Sequence, residues 1–377
     1  MSEVKNESRN QSLDGVRAIA CISVFCVHFM QVLQLDDRTG MISIRRLLEY
    51  GYGVSAFIII SGALIERDRS NCNRSIVGLV DYLWKKLVRI SPMYYTTMFC
   101  IVFVSSLSSS GIGRLDILSH ALFLHNLSDR FLYSISPPFW YLGVQMQAYL
   151  VVSLIVMILP IGEFRKRARS LLLIFIAIIC WLAYGSLIFV DGENNTGHMR
   201  WLATNPMAVR HSVVAHLPNF LLAMAFSQQV LNADVLKFKH RIGNDIIMVL
   251  LLAAMAWIGL SLQEKDITYW NGRYCFPFLP IPLIYLIALC SSGFMVSSIL
   301  SWKPLVWVGT ISFPFYLVHH FSLCGILFTA NKTNIILDAM VKNTIIFFAA
   351  FGVSLILAFL LKQMNHTIFI SLKKAFT

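Results

Sequence analysis

Two side chains on the first apolar segment have the types and spacing of a chemical site. His28 follows Arg17 by eleven residues. In a helix, at about 1.5 Å and about 100° per residue, it would lie roughly 16 Å beyond Arg17 on nearly the same face. A guanidinium can bind an anion, and an imidazole deeper along the same stripe can act as a general base or a nucleophile. Arg17 can also pair with Asp14, three residues before it, which would be a purely structural role.

A second imidazole pair, His319 and His320, ends an apolar run that begins near residue 304. If that run crosses the membrane from the same side as the first, His319 reaches a depth close to that of His28. Two helices that present histidine at one level indicate a shared polar cavity. Neither a carboxylate nor a cysteine accompanies the pair at ligand spacing, so we expect no metal site.

Lys85, Lys86 and Arg89 lie at the end of a predicted inner loop between two apolar runs, just before the run that starts at residue 92. Arginine grips phosphate oxygens with two parallel hydrogen bonds and lysine adds a point charge, so the three could form a phosphate clamp at the membrane surface. Cations that only mark the cytoplasmic end of a helix would have the same sequence. Composition alone leaves both interpretations open.

The composition places these residues in a membrane protein. Of the 377 residues, 57% are hydrophobic and 13% are charged, whereas soluble domains are about 45–50% apolar and about 25% charged. Membrane lipid must therefore surround much of the chain. The net charge of +12 comes from basic residues between apolar segments, without a basic face or recognition motif. We therefore expect no nucleic-acid partner. Six of the eight cysteines fall in apolar runs, which is typical of packing in a helix bundle.

Hydropathy and charge together predict a ten-helix bundle. A spanning helix needs about 20 mostly apolar residues. Runs near that length lie at about 13–35, 50–65, 92–110, 139–160, 170–190, 211–231, 245–262, 276–298, 304–329 and 342–362.

The positive-inside rule decides how a shorter stretch at 115–127, with His120 and His125, is placed. If that stretch stays on the outer surface and both termini are cytoplasmic, 20 of the 31 basic residues lie inside. Counting it as a span would move the basic cluster at 165–169 outside. We therefore predict an all-α polytopic bundle with a cytoplasmic tail at 1–12, a membrane domain at 13–362 and a cytoplasmic tail at 363–377. The first run is too long for a signal-peptide core and is predicted to be retained.

Five segments in order resemble the acyltransferase 3 family of bacterial membrane acyltransferases. Residues 13–20 resemble its "LDGLRAIA", residues 51–62 its "GxxGVxxFFVxSG" and residues 89–92 its "RIxP". Residues 140–149 resemble "WSLSVEEQFY", and residues 309–319 match "GxxSYxxYLxH". Each match is weak by itself, but five in family order across most of the chain are specific.

The sequence departs from the family pattern where many members carry acidic residues. This chain has Ser55, Gln145, Met146 and Asn219 at those positions. An amide cannot act as a general base at neutral pH, so Gln145 is not assigned to catalysis.

The resemblance implies a ten-helix enzyme of the bacterial inner membrane with acetyl-CoA or another acyl-CoA as donor. The implied acceptor is a hydroxyl of an envelope glycan, such as the O-antigen of lipopolysaccharide, or of peptidoglycan or another exported molecule.

Roles follow from depth in the membrane. Lys85, Lys86 and Arg89 would hold the donor phosphates, with Arg17 beside them. His28 would act as general base or transient acyl carrier, and His319 is the second catalytic candidate.

The main alternative is a transporter or flippase of a lipid-linked sugar, which ten helices with internal polar residues would also suit. Transporters usually show internal repeats and paired broken helices, and the sequence shows neither.

Overall fold

The computed structural model describes residues 10–35, 52–70, 75–107, 111–159, 166–193, 206–231, 241–264, 280–290, 292–333 and 338–375. Within these ranges every regular element is a helix, which confirms the all-α class. The α-helices in chain order are α1 (Gln11–Leu33), α2 (Tyr52–Ser70), α3 (Ile76–Leu107), α4 (Arg114–Ala121), α5 (Asp129–Leu132), α6 (Trp140–Ile158), α7 (Lys166–Glu193), α8 (Pro206–Arg210), α9 (Val213–Ala225), α10 (Ser227–Leu231), α11 (Arg241–Glu264), α12 (Pro280–Cys290), α13 (Met295–Leu300), α14 (Lys303–Thr310), α15 (Ser312–Lys332) and α16 (Ala339–Ala375).

Six of the described helices are long and apolar enough to cross a membrane, namely α1, α3, α6, α7, α15 and α16. The other four predicted runs correspond to α2, to α9 with α10, to α11, and to α12 with α13. Large apolar side chains such as Phe99, Phe103 and Phe348 are exposed on the helix surfaces, as expected for faces in contact with lipid. The chain is therefore a multi-pass membrane protein, while the ten-span arrangement and the side of each terminus stay predictions.

The predicted tails are described only in part. Residues 1–9 lie outside the described ranges, and α1 begins at Gln11, where the Asn10 side chain accepts a hydrogen bond from the backbone N–H of Leu13 at 3.4 Å. The boundary predicted at 362 does not coincide with the end of a helix, because α16 continues to Ala375.

Lys85, Lys86 and Arg89 are helical, not part of a loop as the sequence pattern suggested. Helix α3 starts at Ile76 and continues through Pro92 to Leu107. Proline inside a helix removes one backbone hydrogen bond, a loss that membrane helices tolerate because neighbouring groups satisfy the freed carbonyl. The helical spacing turns Lys86 and Arg89 to one face and leaves Lys85 on another.

The run at 304–329 is broken between α14 and α15. Pro314 has no N–H to donate to the carbonyl of Thr310, and its ring crowds that carbonyl, so a continuous helix is disfavoured there. The chain turns at Ile311 and resumes at Ser312. The break presents backbone and small side chains to the interior of the bundle.

Helix α1 packs along this broken helix through a regular seam. Asp14, Cys21, Phe25 and His28 recur at steps of seven, four and three residues, which is the spacing of one helix face. Cys21 donates from Sγ to the carbonyl of Ser312 at 3.4 Å, and the ring of Phe25 lies 5.9 Å from that of Phe315. Gly309 contacts the backbone of Asp14 so closely that a Cβ there would collide with the Asp14 carbonyl oxygen. The seam thereby fixes the level of His28 against α15.

Basic side chains from several helices lie at one end of the bundle, which we call the basic end. Arg17, Lys86 and Lys362 line one cavity there. Arg169, from the cluster at 165–169, pairs with Glu66 of α2 at 2.8 Å. These four basic residues, which the charge rule assigned to one side of the membrane, therefore lie at one end of the described bundle.

Candidate functional site

A cavity of about 340 Å³ lies at the basic end, between α1, α2, α3, α6, α14, α15 and α16. Its volume is within the range of small-molecule sites, about 300–1,000 Å³. The polar side chains that line it are Arg17, Ser61, Lys86, Arg89, Tyr141, Gln145, Tyr149, Thr310, Ser312, Tyr316, Lys362 and Asn365.

The cavity is cationic. Four basic side chains line it, and its lining includes no acidic side chain from the described part of the chain. Asp14 pairs with Arg17 at 3.0 Å, and Asp68 pairs with Lys86 at 2.8 Å, but both carboxylates lie behind the lining. Converging cations in a partly buried space attract and hold anions. The arrangement suits a ligand with several phosphate oxygens.

Helix α3 supplies one wall of the cavity through Lys86, Arg89, Ile90 and Met93. These positions follow the spacing i, i+3, i+4 and i+7 of a single helix face.

Lys86 is held in this wall by aromatic and acidic partners. Its ammonium lies 5.0 Å from the ring centre of Tyr82 and 5.4 Å from that of Tyr149, in addition to its pair with Asp68. Only 14% of its side chain is exposed. Lys85, the preceding residue, is 71% exposed, pairs with Asp81 at 2.6 Å and does not line the cavity. The structure thus places Lys86 and Arg89 in the cavity and Lys85 outside it.

Helix α16 contributes two lining residues that sequence reasoning did not select. Lys362 donates from Nζ to Oγ1 of Thr310 at 2.9 Å, which joins α16 to the break before α15. Asn365, three residues later, presents a buried side-chain oxygen that has no hydrogen-bond donor among the described residues. The spacing of the two on one helix face was visible in the sequence, but the approach of α16 to α3 and α14 was not.

Gln145 lies in the opposite wall, on α6. Its side-chain oxygen accepts a hydrogen bond from the hydroxyl of Tyr141 at 2.7 Å. Its amide nitrogen is buried and has no acceptor among the described residues. This donor is suited to an oxygen atom of a bound ligand, which is a binding role and not that of a base.

Three aromatic rings close the end of the cavity that is farthest from Lys86 and Arg89 along the bundle. We call Phe57, Tyr141 and Tyr316 the aromatic collar. Their ring centres are 6.3 Å apart for Phe57 and Tyr141, 6.2 Å for Phe57 and Tyr316, and 5.6 Å for Tyr141 and Tyr316. Such separations are contact distances for aromatic rings. Tyr316 is also fixed by its hydroxyl, which donates to the carbonyl of Pro138 at 2.7 Å.

The histidines lie directly behind the collar. The ring of His319 is 5.6 Å from that of Tyr316 and 5.2 Å from that of His28. His320 also approaches His28, at 5.5 Å. Nδ1 of His319 is within 2.7 Å of the Tyr316 carbonyl oxygen, so it carries the proton and donates. The structure therefore brings His28 and His319 together at one level, as the spacing predicts, but neither lines the cavity.

A polar network braces the opposite end of the bundle. Asn126 and Gln147 exchange hydrogen bonds of 2.7 Å and 3.3 Å, and Asn126 donates to the carbonyl of His211 at 3.0 Å. The rings of His120 and His125 stack 4.0 Å apart and are fully buried. The stretch at 115–127 is thus a folded cap of short helical segments that contacts α6 and α8. Gln147 of the fourth motif has a structural partner in this cap.

Comparison with known proteins identifies the family of the chain. The model of the acyltransferase 3 family, described as an acyltransferase domain, matches residues 10–363. The chain belongs to this family. The match confirms the resemblance carried by the five motifs, and it places the chain in a family of acyltransferase domains.

Three curated relatives are O-acetyltransferases by name, and the names of two of them specify peptidoglycan. The chain is 23% identical over 329 residues to a putative peptidoglycan O-acetyltransferase, YrhL, of Bacillus subtilis, covering 82% of this chain and 48% of the relative. It is 23% identical over 323 residues to the O-acetyltransferase OatA of Staphylococcus aureus, covering 82% and 49%. It is also 23% identical over 331 residues to the peptidoglycan O-acetyltransferase OatA of Listeria monocytogenes, covering 82% and 48%.

The chain therefore spans about half the length of the curated relatives it matches. No solved structure matches it.

Proposed function

We propose that this acyltransferase takes an acyl group, in the first place acetyl, from acyl-CoA at the basic end and transfers it to a hydroxyl of a cell-envelope glycan. The observation that carries the proposal is the cavity itself. One part of the cavity is lined by four cations, and its described lining residues include no acid. The other end reaches the aromatic collar, whose Tyr316 contacts His319. A cationic chamber that leads to imidazoles matches a donor with phosphates at one end and a thioester at the other.

The donor phosphates would bind Lys86, Arg89, Arg17 and Lys362. Arg17 and Lys86 already have carboxylate partners, so a phosphate would join or replace those pairs instead of meeting bare charges. The amides of Gln145 and Asn365 offer one donor and one acceptor in the same cavity. These suit the amide groups of the pantetheine arm, which carry both functions.

The transfer needs a base near the collar. His28, or His319 in its place, accepts the proton of the acceptor hydroxyl while the oxygen attacks the thioester carbon. The C–S bond breaks, a C–O ester bond forms, and the proton passes to the departing thiolate sulfur. Because His319 donates from Nδ1 to a backbone carbonyl, its Nε2 is the atom available to accept a proton. An imidazole can also carry the acyl group briefly, which would divide the transfer into two steps.

The acceptor would reach the histidines from the end of the bundle opposite the basic end. The names of the relatives indicate peptidoglycan as a glycan class for such enzymes. The O-antigen of lipopolysaccharide offers the same chemistry, a sugar hydroxyl next to the membrane. The corresponding location is a bacterial inner membrane, with the basic end in the cytoplasm, as the positive-inside rule favours.

The first test compares two neighbouring lysines. In membranes that contain labelled acetyl-CoA, we expect transfer of label to glycan, and we expect Lys86→Ala to raise the apparent KM for acetyl-CoA about 10-fold to 100-fold. That range corresponds to the loss of one charge-assisted hydrogen bond, about 1.5–3 kcal/mol. Lys85→Ala removes the same charge at the same surface but outside the cavity, so its effect on KM should be clearly smaller.

Equal effects of the two substitutions would show that the cavity is not the donor site. A flippase of a lipid-linked sugar would transfer no label in any variant.

A further inference from the structure

The aromatic collar has a consequence for which donors the enzyme can use. We propose that Phe57, Tyr141 and Tyr316 set the length of the transferred acyl group, accepting acetyl and excluding acyl groups of four or more carbons. This inference rests on the proposed function and deepens it, because it concerns the same cavity and the same donor.

The position of the collar allows it to limit the length of the acyl group that the cavity accepts. The donor phosphates would bind among the cations, so the thioester end of the donor must point toward the rings. The three ring centres lie 5.6–6.3 Å from one another, so the rings are in contact and narrow the path between the cavity and the histidines. An acetyl group ends one carbon past the thioester carbonyl. A butyryl group carries two more methylenes, which must displace a ring.

Two of the three rings are anchored. The hydroxyl of Tyr316 donates to the Pro138 carbonyl at 2.7 Å, and the hydroxyl of Tyr141 donates to Gln145 at 2.7 Å. Both tyrosines are buried, with 3% and 7% of their surfaces exposed. Moving either ring would break a buried hydrogen bond and leave a polar group without its partner, which is unfavourable. A longer acyl chain therefore meets resistance at both positions.

Phe57 is the adjustable member. It is half-buried, lines the cavity and has no polar anchor of its own, because a phenyl ring forms no conventional hydrogen bond. Interiors are packed closely enough that replacing a phenyl ring by a methyl group leaves usable space. The space created by Phe57→Ala would adjoin the donor cavity and lie beside the rings of Tyr141 and Tyr316, which Phe57 contacts. The acyl tail could extend there while the thioester carbon stays in place.

The experiment measures donor preference in membrane vesicles with their endogenous glycan. Wild type, Phe57→Ala and Phe351→Ala are each given labelled acetyl-CoA, propionyl-CoA or butyryl-CoA at equal enzyme abundance. The readout is the ratio of butyryl to acetyl transfer. Phe351 is a matched control, because its ring packs on Phe25 and Phe315 behind the histidines but does not line the cavity.

We expect Phe57→Ala to raise the butyryl-to-acetyl ratio at least 10-fold, with propionyl in between, and Phe351→Ala to keep the ratio of wild type. An unchanged ratio in Phe57→Ala, with acetyl transfer still measurable, would overturn the role of the collar and leave the proposed function intact. Absence of acetyl transfer in wild type would overturn the proposed function instead.

If Phe57→Ala does not accumulate in the membrane, Phe57→Leu makes a smaller opening and should raise the propionyl-to-acetyl ratio. The same ratio as wild type in that variant would contradict the proposal.

Discussion

Gln145 shows at the residue scale how charge and hydrogen bonding act separately in the cavity. Its oxygen accepts from Tyr141, and its nitrogen is a buried donor in a wall that faces four cations. A carboxylate at this position could accept the same hydrogen bond from Tyr141. It would remove the amide donor and add a negative charge to a chamber that, in its described lining, has none.

We therefore predict that Gln145→Glu weakens donor binding without unfolding the protein. A negative charge about 4–8 Å from a bound phosphate, at an effective dielectric of about 20, costs on the order of 2–4 kcal/mol, so the apparent KM for acetyl-CoA should rise at least 10-fold. Steady-state kinetics in membranes measure this, with Gln145→Leu as the comparison that removes the donor but adds no charge. A KM for Gln145→Glu equal to or below that of wild type would show that the donor phosphates do not bind near this wall.

Some of these residues are predictable from the sequence and others are not, for a physical reason. Arg17 and His28 share one helix, so their common face follows from the helical repeat alone. Lys86 and Arg89 could be selected by type, but the distinction between Lys86 and Lys85 needed the helix to extend back to Ile76. The sequence pattern predicted a loop there, and a loop has no regular repeat that would assign neighbouring side chains to different faces.

At the element scale, the cap at 111–139 depends on two neutral histidines. Up to residue 136 it lies outside the six candidate spanning helices of the described chain. His120 donates from Nδ1 to the Asp116 carbonyl, and His125 donates from Nε2 to the Phe139 carbonyl, both at 2.9 Å. Burial lowers the pKa of His120 to about 4, and burial together with the neighbouring His120 lowers the pKa of His125. Both rings are therefore neutral in the folded cap at neutral pH.

The lowered pKa values predict that acid opens this cap. In the unfolded cap the histidines would bind protons near pH 6.5, whereas in the folded cap they bind protons only at lower pH. Their contribution to the stability of the folded cap is therefore complete above about pH 6.5 and is lost as the pH falls. For His120 the full effect is on the order of 3 kcal/mol. Hydrogen exchange of residues 111–139, corrected for intrinsic rates, should show protection at pH 7.5 and its loss toward pH 4.5.

His120→Phe keeps an aromatic ring beside His125 and removes one titrating group, so its loss of protection on acidification should be smaller than that of wild type. Protection that does not change with pH in wild type would contradict the account of the cap.

The elements themselves were only partly predictable. Apolar run length located most of the helices, because burying backbone in lipid requires helical hydrogen bonding. The break at Ile311 follows from Pro314 and could have been read from the sequence, but its consequence could not. Only the packing of α1, fixed by the contact of Gly309 with Asp14, shows that the break faces the cavity. Contacts of this kind, between helices that are distant in the chain, produce no periodic pattern in the sequence of either helix.

At the scale of the whole molecule, the two ends of the described bundle differ, and the functional features follow one another in a fixed order between them. The basic end holds the cationic cavity, the aromatic collar lies next, the histidines follow, and the bundle ends in the cap stabilised by Asn126 and Gln147. The order matches an enzyme that receives its donor from one side and its acceptor from the other. Charge distribution along the sequence predicted the basic end, but the cavity required seven helices to come together, including the distant α16.

The most direct test of this account is acetyl transfer by His28→Ala. With labelled acetyl-CoA and endogenous glycan, and at membrane abundance equal to wild type, we predict a fall in transfer of at least 100-fold, as expected when a general base or acyl carrier is removed. His366→Ala, which removes an exposed imidazole of α16, should retain wild-type transfer. Wild-type transfer by His28→Ala would contradict the central claim that the acyl group passes the imidazole behind the collar.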